Sequence, residues 1–178
     1  MEVVDVRRAA ELVRGGEVVA FPTDTVYGLM ALPEAASRIY AAKHRPADKR
    51  LIAMAAEPFA FERLVEVTAR ARELMRAHWP GALTLVLPTR SGDPPTLGIR
   101  IPDHPLALEL LRAVGEPVLT TSANRSGEPP ALSAAEVRLT GVPAVLDGGR
   151  TPGGVPSTVV AVEGDRLRVI RLGPVEPG

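Results

Sequence analysis

The chain has 178 residues, of which 46% are hydrophobic, and its 21 basic residues balance 21 acidic ones. This length is typical of a single domain with one core, and the balanced charge gives no overall field that would attract nucleic acid or an anionic membrane. The lack of cysteine excludes disulfides, thiolate metal sites and cysteine nucleophiles. No stretch approaches the roughly 18 apolar residues of a membrane span and no secretory signal opens the chain, so we expect a cytoplasmic protein.

The first half of the sequence predicts alternating helices and short strands. Asp5 is placed to cap a helix over 6–14, which the glycine pair at 15–16 would end. A short apolar strand over 17–21 then leads into a polar loop, where binding residues are often found. A helix over 33–42 and a buried strand over 51–55 follow.

The second half predicts a less regular order of elements. Its predicted elements are helices over 59–65, 68–78 and 105–114, strands over 83–87 and 118–121, a short helix over 133–136, and a hairpin of 158–162 with 167–171. Strands and helices do not alternate strictly, and a terminal hairpin adds antiparallel pairing. We therefore expect one α/β domain over residues 1–178, with a mixed sheet and flanking helices.

Standard nucleotide and metal motifs are missing from the sequence. It contains no P-loop, no dinucleotide-binding glycine motif opening a helix, and no HExxH. Its three histidines lie far apart, which favours structural or solvated roles, so we expect no metal site in the protein. A serine hydrolase is also disfavoured, because no GxSxG-like elbow is present.

A basic segment runs from Lys43 to Arg50 and places four fixed cations in eight residues. One interpretation is a solvated helix end, where cations complement the helix dipole. The other is an anion clamp, in which guanidinium and ammonium groups hold phosphate or carboxylate through charge-assisted hydrogen bonds. The residues alone leave both interpretations open.

Small polar side chains cluster at two predicted strand ends, over 23–25 and 120–127. They can bind a ribose or a phosphate, or only close turns of their own backbone. Arg100 lies between Ile99 and Ile101, so a buried strand there would require a partner anion. The Pro/Gly-rich stretch 151–156 is predicted to be a loop over a site.

Five blocks of residues, in order, resemble successive motifs of the YrdC/Sua5/TsaC family. The blocks are FPTDTVYGL (21–29), KHRP (43–46), HWPGALT (78–84), RIPDHP (100–105) and TSANRSG (121–127). The resemblance extends from about residue 21 to 171, and the length is similar to that of the short, single-domain TsaC form.

The resemblance implies a twisted mixed α/β sheet with flanking helices around a concave basic cleft. It also implies an L-threonylcarbamoyladenylate synthase, a nucleotidyltransferase that joins L-threonine, bicarbonate and ATP and releases pyrophosphate, with Mg²⁺ accompanying ATP. The product would serve the t6A37 modification of tRNA, completed by downstream transfer proteins. Such chemistry needs positioning and charge neutralisation more than a protein nucleophile, which suits a cleft rich in arginine and lysine.

The resemblance also assigns site residues. ATP-binding roles fall to Lys43, Arg45, Lys49, Thr96, Asn124 and Arg171, and L-threonine-binding roles fall to Thr25, Arg100, Ser122 and Ser157. Lys43 and Arg45 match the family's KxR pair and are the expected catalytic residues, stabilising charge that develops on pyrophosphate. The chain departs from many relatives after this block, since Lys49-Arg50-Leu51 replaces Asn-Pro-Leu and Met54 stands where a histidine is common.

Two other functions remain as alternatives. A tRNA or double-stranded RNA binding module would use the same basic cleft, although the neutral charge and the 3% aromatic content disfavour it. A carbamoyltransferase of hydrogenase maturation also contains a YrdC-like domain, but it adds zinc-finger-like regions that require cysteines.

Overall fold

The computed structural model describes residues 1–44, 46 and 49–178, and within them ten strands form one sheet. The strands are β1 (Glu2–Val4), β2 (Val19–Phe21), β3 (Gly28–Ala31), β4 (Ile52–Met54), β5 (Leu83–Pro88), β6 (Thr96–Arg100), β7 (Val118–Ser122), β8 (Ala144–Leu146), β9 (Thr158–Glu163) and β10 (Arg166–Arg171). The helices are α1 (Val6–Arg14), α2 (Ala36–Lys43), α3 (Ala69–His78) and α4 (Pro105–Val114), with single 3-10 turns at Pro33–Ala35, Pro58–Phe61 and Ala134–Glu136.

The sheet is mixed and open. Its strand order is β1-β8-β2-β3-β7-β4-β6-β5-β9-β10, so β1 and β10 are the edges. The pairs β1–β8, β2–β8, β4–β6 and β5–β9 are parallel, and the others are antiparallel. The predicted mixed α/β sheet and its terminal hairpin, β9–β10, are therefore confirmed.

Several predicted helix ends are confirmed. The Asp5 carboxylate accepts from the Arg8 amide at 2.8 Å and begins α1, and the Thr68 hydroxyl accepts from the Ala71 amide at 3.2 Å and begins α3. Pro105 opens α4, and Gly115 ends it at φ +86°, a left-handed conformation that suits glycine.

Other predicted elements were wrong or incomplete. The helix predicted over 59–65 is only one 3-10 turn, because Val65 forms a β-bridge with Thr89 and the Glu66 amide donates to the Pro88 carbonyl. The chain thereby pairs beside the end of β5 before a second turn can form. The helix predicted from Pro33 is split into a 3-10 turn and α2, and strands β1, β3, β6 and β8 were not predicted.

Period-two alternation along the strands separates the faces of the sheet. In β2, Val19 and Phe21 pack in a cluster with α1 and α4, whereas Ala20 packs in a second cluster with α2. A third cluster joins α3 to β5, β6 and β9. In β5 and β6, Thr84 and Arg100 alternate with residues of this third cluster, and their side chains line a cleft instead. No helix in the described part of the chain is long and apolar enough to cross a membrane.

Candidate active site

A cleft of about 400 Å³ lies over the central strands. Its floor includes side chains from β4, β5, β6, β7 and β9: Ile52, Met54, Thr84, Arg100, Thr120 and Val159. Gly98 allows the Ile52 side chain to pack closely beside it, since a Cβ at Gly98 would lie only 2.8 Å from the Ile52 Cγ2 atom. Two other depressions have larger volumes, about 570 and 510 Å³, but this cleft collects most of the predicted site residues.

The loop after β2 forms one wall of the cleft. Thr23 and Thr25 are each only 2% exposed. The Thr23 hydroxyl donates to the Val26 carbonyl at 2.7 Å and accepts from the Thr25 and Val26 amides, so it closes the turn. The Thr23 and Thr25 hydroxyls are also 3.0 Å apart and hydrogen-bond to each other. Thr25 is thereby held with its oxygen facing Arg100.

Arg100 is buried at the end of β6, and its guanidinium is held from three sides. Its Nε donates to the Gly81 carbonyl at 2.9 Å, its Nη1 to the Thr25 hydroxyl at 3.2 Å and its Nη2 to the Asp24 carboxylate at 2.5 Å. The required partner anion is therefore Asp24, whose carboxylate also accepts from the Asp103 amide at 3.1 Å. Such a guanidinium is oriented before any ligand arrives.

Arg171 and Ser157 line the cleft from β10 and from the start of β9. The Arg171 Nε and Nη2 donate to the Ser157 carbonyl at 3.1 and 2.9 Å. The Ser157 and Thr84 hydroxyls are 2.8 Å apart, which fixes both beside the cleft. The adjoining loop is tied to the opposite wall, since the Gly154 amide donates to the Thr25 carbonyl at 3.1 Å. The predicted loop over a site thus borders this cleft.

Burial and charge act on the two arginines of the cleft. Burial lowers the pKa of the Arg100 guanidinium, the Asp24 carboxylate opposes that shift, and the charge of Arg171 adds to it. Burial likewise lowers the pKa of Arg171. Two guanidinium groups close enough to influence each other, one of them with a carboxylate partner, favour an additional anion in the cleft.

Lys43 ends α2 and is 1% exposed. Its ammonium group donates to the backbone carbonyl of Ser122, to that of Asn124 at 2.5 Å and to the Asn124 Oδ1 at 3.4 Å. The Lys43 carbonyl in turn accepts from the Ser126 amide at 3.2 Å. Lys43 therefore fixes the strand end that presents Ser122 and Asn124, both of which line the cleft.

The Asn124 side chain has partners within its own loop. Its Nδ2 donates to the carbonyls of Arg125 at 2.9 Å and Glu128 at 2.6 Å. These two bonds fix the amide orientation and close the turn after β7. The turn interpretation and the ligand interpretation of this segment are therefore compatible, because the closed turn leaves Asn124 in the cleft wall.

Two further cations of the basic segment, Lys49 and Arg50, have partners in neighbouring parts of the chain. The Lys49 ammonium is 3.3 Å from the Ser126 hydroxyl, and the Arg50 Nη1 donates to the carbonyl and hydroxyl of Thr96 at 3.0 and 3.2 Å. Arg50 lines the cleft, while Thr96 contacts the cleft through Arg50. Arg45, predicted to be catalytic, lies outside the described residues.

Sequence reasoning missed three residues that hold this site. Asp24 supplies the carboxylate for Arg100, the Gly81 carbonyl accepts from the same guanidinium, and Thr84 orients Ser157. The signal for Asp24 was present, since it lies between two threonines in the loop after β2, but nothing in the sequence joined it to the anion that Arg100 required.

Among the described residues, no group of three or more His, Asp or Glu side chains is arranged to hold a metal ion.

The fold and the cleft define a mixed α/β protein with a small-molecule site built from guanidinium, hydroxyl and amide groups. Within that class, the chain belongs to the Sua5/YciO/YrdC family, whose model, described as "Telomere recombination", matches residues 11–173. The threonylcarbamoyl-AMP synthase of Bacillus subtilis is 42% identical over an alignment that covers 96% of this chain and 54% of that protein.

Solved structures with the same fold include two with sequence identities of 40% and 29%. Pyrococcus abyssi Sua5 complexed with L-threonine has a TM-score of 0.88 and 40% identity, covering 94% of this chain and 54% of that one. Escherichia coli YciO has a TM-score of 0.85 and 29% identity, covering 96% and 90%. The chain spans about half the length of the first curated relatives that it matches.

Proposed function

We propose that the chain is an L-threonylcarbamoyladenylate synthase, which forms threonylcarbamoyl-AMP and pyrophosphate from L-threonine, bicarbonate and ATP. The observation that carries the proposal is the buried Asp24–Arg100–Thr25 network in the same cleft as Ser122 and Asn124. Curated relatives at about 40% identity have the name threonylcarbamoyl-AMP synthase, and one related structure is described as a complex with L-threonine.

The threonine side of the proposed site is the wall that contains Thr25, Arg100 and Ser157. Threonine offers a hydroxyl, a carboxylate and an amine. Hydroxyls fixed by their neighbours, such as those of Thr25 and Ser157, can bond the substrate hydroxyl without reorganising. Arg100 supplies positive charge for the substrate carboxylate or for the carbamate, and Ser122 lies in the same cleft.

The reaction proposed for the cleft has two steps. The threonine amine attacks the bicarbonate carbon, and loss of water leaves a carbamate. A carbamate oxygen then attacks the α-phosphorus of ATP, and the bond to the β-phosphate oxygen breaks to release pyrophosphate. The second step classes the enzyme as a nucleotidyltransferase, and it requires in-line positioning with neutralisation of the pyrophosphate charge.

The ATP side of the proposed site combines the basic segment with Asn124 and Arg171. Lys43 and Arg45 are the proposed catalytic residues, and Lys49, Thr96, Asn124 and Arg171 are proposed to bind ATP. Arg50, which contacts Thr96 and lines the cleft, joins this group. These cations, together with Arg100, would make the cleft basic. Mg²⁺ would arrive with ATP and partly neutralise its phosphates.

The proposed biological role is the t6A37 modification of tRNA in the cytoplasm. The mixed anhydride formed here is an activated acyl group, so downstream proteins would transfer the threonylcarbamoyl group to the tRNA adenosine.

The proposal is tested by following pyrophosphate release from ATP with bicarbonate, with and without L-threonine. Release that depends on threonine, with a product of threonylcarbamoyl-AMP mass, is the expected result. An absence of turnover together with tight, salt-sensitive binding of tRNA or double-stranded RNA would contradict the synthase proposal and support the RNA-binding alternative.

A further inference from the structure

A second cavity, of about 510 Å³, lies outside the cleft between α3, α4 and the segment before the Pro58–Phe61 turn. Its apolar lining includes Met75 and Trp79 from the end of α3, Ile101 after β6, and Leu108 in α4. This volume is within the range of small-molecule sites, roughly 300 to 1,000 Å³, which combine apolar walls with a few polar groups. The cavity is not used by the proposed reaction.

Charged side chains form the rim of this cavity. Arg112 and Glu57 pair across it at 3.5 Å. Arg72 and Arg76 are four residues apart on α3 and so lie on one helix face, and both line the cavity. In the described part of the chain, no carboxylate lies within 4.0 Å of either guanidinium. Glu62 also lines the cavity. The rim therefore carries three arginines against two glutamates, and its net charge is positive.

Trp79 gives the cavity an aromatic wall. Its indole N–H is already committed to the Leu83 carbonyl at 2.7 Å, and its ring packs on Phe61 with centroids 5.8 Å apart. The ring is therefore fixed in place, and the part of its surface that faces the cavity offers apolar contact rather than a hydrogen bond.

The cavity shares a wall with the candidate active site. Pro80 and Ile101 line the cavity, and their chain neighbours Gly81 and Arg100 belong to the network of the cleft. The Gly81 amide donates to the Ile101 carbonyl at 2.9 Å, which ties the two segments together. An occupant of the cavity would contact Pro80 and Ile101, which are the chain neighbours of Gly81 and Arg100.

From these features we infer that the cavity is a second small-molecule site, which takes an amphipathic anion. The ligand class has an aromatic or other apolar ring body, which packs against Trp79 and Leu108, and a carboxylate, sulfonate or phosphate, which binds Arg72 and Arg76. The site is distinct from the cleft and does not require the proposed synthase activity.

The test uses 8-anilinonaphthalene-1-sulfonate as the probe and Trp79 as the reporter. Trp79 is the single tryptophan of the chain, so energy transfer from it to the probe shows that the probe binds near this residue, and the rim variants then assign the binding to this cavity. The expected result is saturable one-to-one binding with quenching of Trp79 emission, unaffected by L-threonine. A naphthalene with an ammonium group in place of the sulfonate should bind more weakly.

Matched double variants assign the binding to the rim. Arg72→Gln with Arg76→Gln should weaken probe binding about tenfold or more, since the anionic group loses its charge-assisted hydrogen bonds. Arg7→Gln with Arg138→Gln, which removes the same charge from exposed positions elsewhere, should leave the affinity unchanged once thermal unfolding shows that both proteins are folded. Unquenched Trp79, equal binding of the cationic probe, or equal weakening in the two double variants would overturn the inference.

Discussion

Two buried cations, Arg100 and Lys43, lie on different sides of the candidate site and are held in different ways. Arg100 is 3% exposed, pairs with the Asp24 carboxylate and lines the cleft. Lys43 is 1% exposed and donates to the backbone carbonyls of Ser122 and Asn124. A buried charge near a site can therefore act on the ligand, and it can also hold the backbone that presents other ligand-binding residues, as Lys43 does in addition to its proposed catalytic role.

The difference follows from the two side chains. The guanidinium of Arg100 is a planar fork with five donors, so it can bond Gly81, Thr25 and Asp24 at once and keep one edge toward the cleft. The ammonium of Lys43 is a compact point charge, which suits the convergence of two carbonyls from one turn. We therefore expect the two cations to respond differently to removal.

The largest expected effect concerns the hydroxyl network beside Arg100. If Thr25 and Ser157 bond the substrate hydroxyl, valine leaves buried polar groups unpaired and should react roughly 10⁴-fold more slowly than threonine, whereas serine, which lacks one methyl, should lose only about 10- to 200-fold. Adenylate formation with each amino acid at equal concentration measures both ratios. If valine reacted faster than serine, Thr25 and Ser157 would not select for the substrate hydroxyl.

Removing the Arg100 guanidinium is the next largest perturbation. We expect Arg100→Met to lower kcat/KM for threonine by about 10³-fold, since one donor aimed at developing or bound charge typically contributes 10² to 10³. Stability should also fall by about 3 kcal/mol, the low end for a broken buried pair, because the Asp24 carboxylate, which is 15% exposed, loses its guanidinium partner.

Urea unfolding monitored by circular dichroism gives the stability change of Arg100→Met, and Arg138→Met serves as a matched surface control. A variant that unfolds like the wild type and still turns over threonine at the normal rate would show that Arg100 does not act on the ligand.

The second lysine of the basic segment, Lys49, serves as a comparison for Lys43. We expect Lys43→Met to lower adenylate formation about 10²-fold and to cost roughly 1–3 kcal/mol of stability, because two carbonyls lose a charged donor. Lys49→Met, at an exposed position, should raise the KM for ATP with little loss of stability. Equal stability changes in the two variants would contradict the backbone-shaping role of Lys43.

Asp24 tests how much the position of Arg100 depends on its carboxylate. Asp24→Asn keeps an oxygen for the Asp103 amide but removes the charge, so we expect kcat/KM for threonine to fall about 10- to 100-fold, mainly through KM, at the scale of one charge-assisted bond. Asp103→Asn is the control, since only its backbone amide contacts Asp24. A fall confined to kcat would indicate a different role.

The smallest expected effect is a pH dependence of stability near this network. Burial lowers the pKa of His104 below 6.5, against the opposing charges of Asp24 and Asp103, and its buried Nδ1 has no hydrogen-bond partner in the described part of the chain. The unfolded chain therefore binds the proton at higher pH, so stability is fully present above about pH 6.5 and is lost as the pH falls through the lowered value. His104→Gln should flatten this decline, and an unchanged pH profile would remove His104 as its source.

The sequence predicted elements with local signals more successfully than elements that depend on distant pairing. The capping Asp5, Pro105 and Gly115 mark helix ends within a few residues, so α1 and α4 were predicted with their observed bounds. Strand β3 begins at Gly28, a residue with low strand propensity, and is a strand only because β2 and β7 pair with it on both sides.

The sequence predicted individual residues of the site but not the contacts between them. Ordered motif blocks indicated Thr25, Arg100, Ser122 and Asn124, the family resemblance added Ser157 and Arg171, and the structure brings all six to one cleft. The Asp24–Arg100 pair joins residues 76 positions apart, and only the order of the sheet brings them together. The same limitation applied to Thr84, which orients Ser157 across the parallel pair β5–β9.

The joining of the three substrates in this cleft can be followed directly with ¹³C-labelled bicarbonate, L-threonine and ATP, using mass spectrometry of the nucleotide product. We expect a threonylcarbamoyl-AMP ion that is heavier by the label, formed by the wild type and strongly reduced in Arg100→Met. A nucleotide product without the label, or labelled product formed equally well by the variant, would contradict the claim that this cleft joins the three substrates.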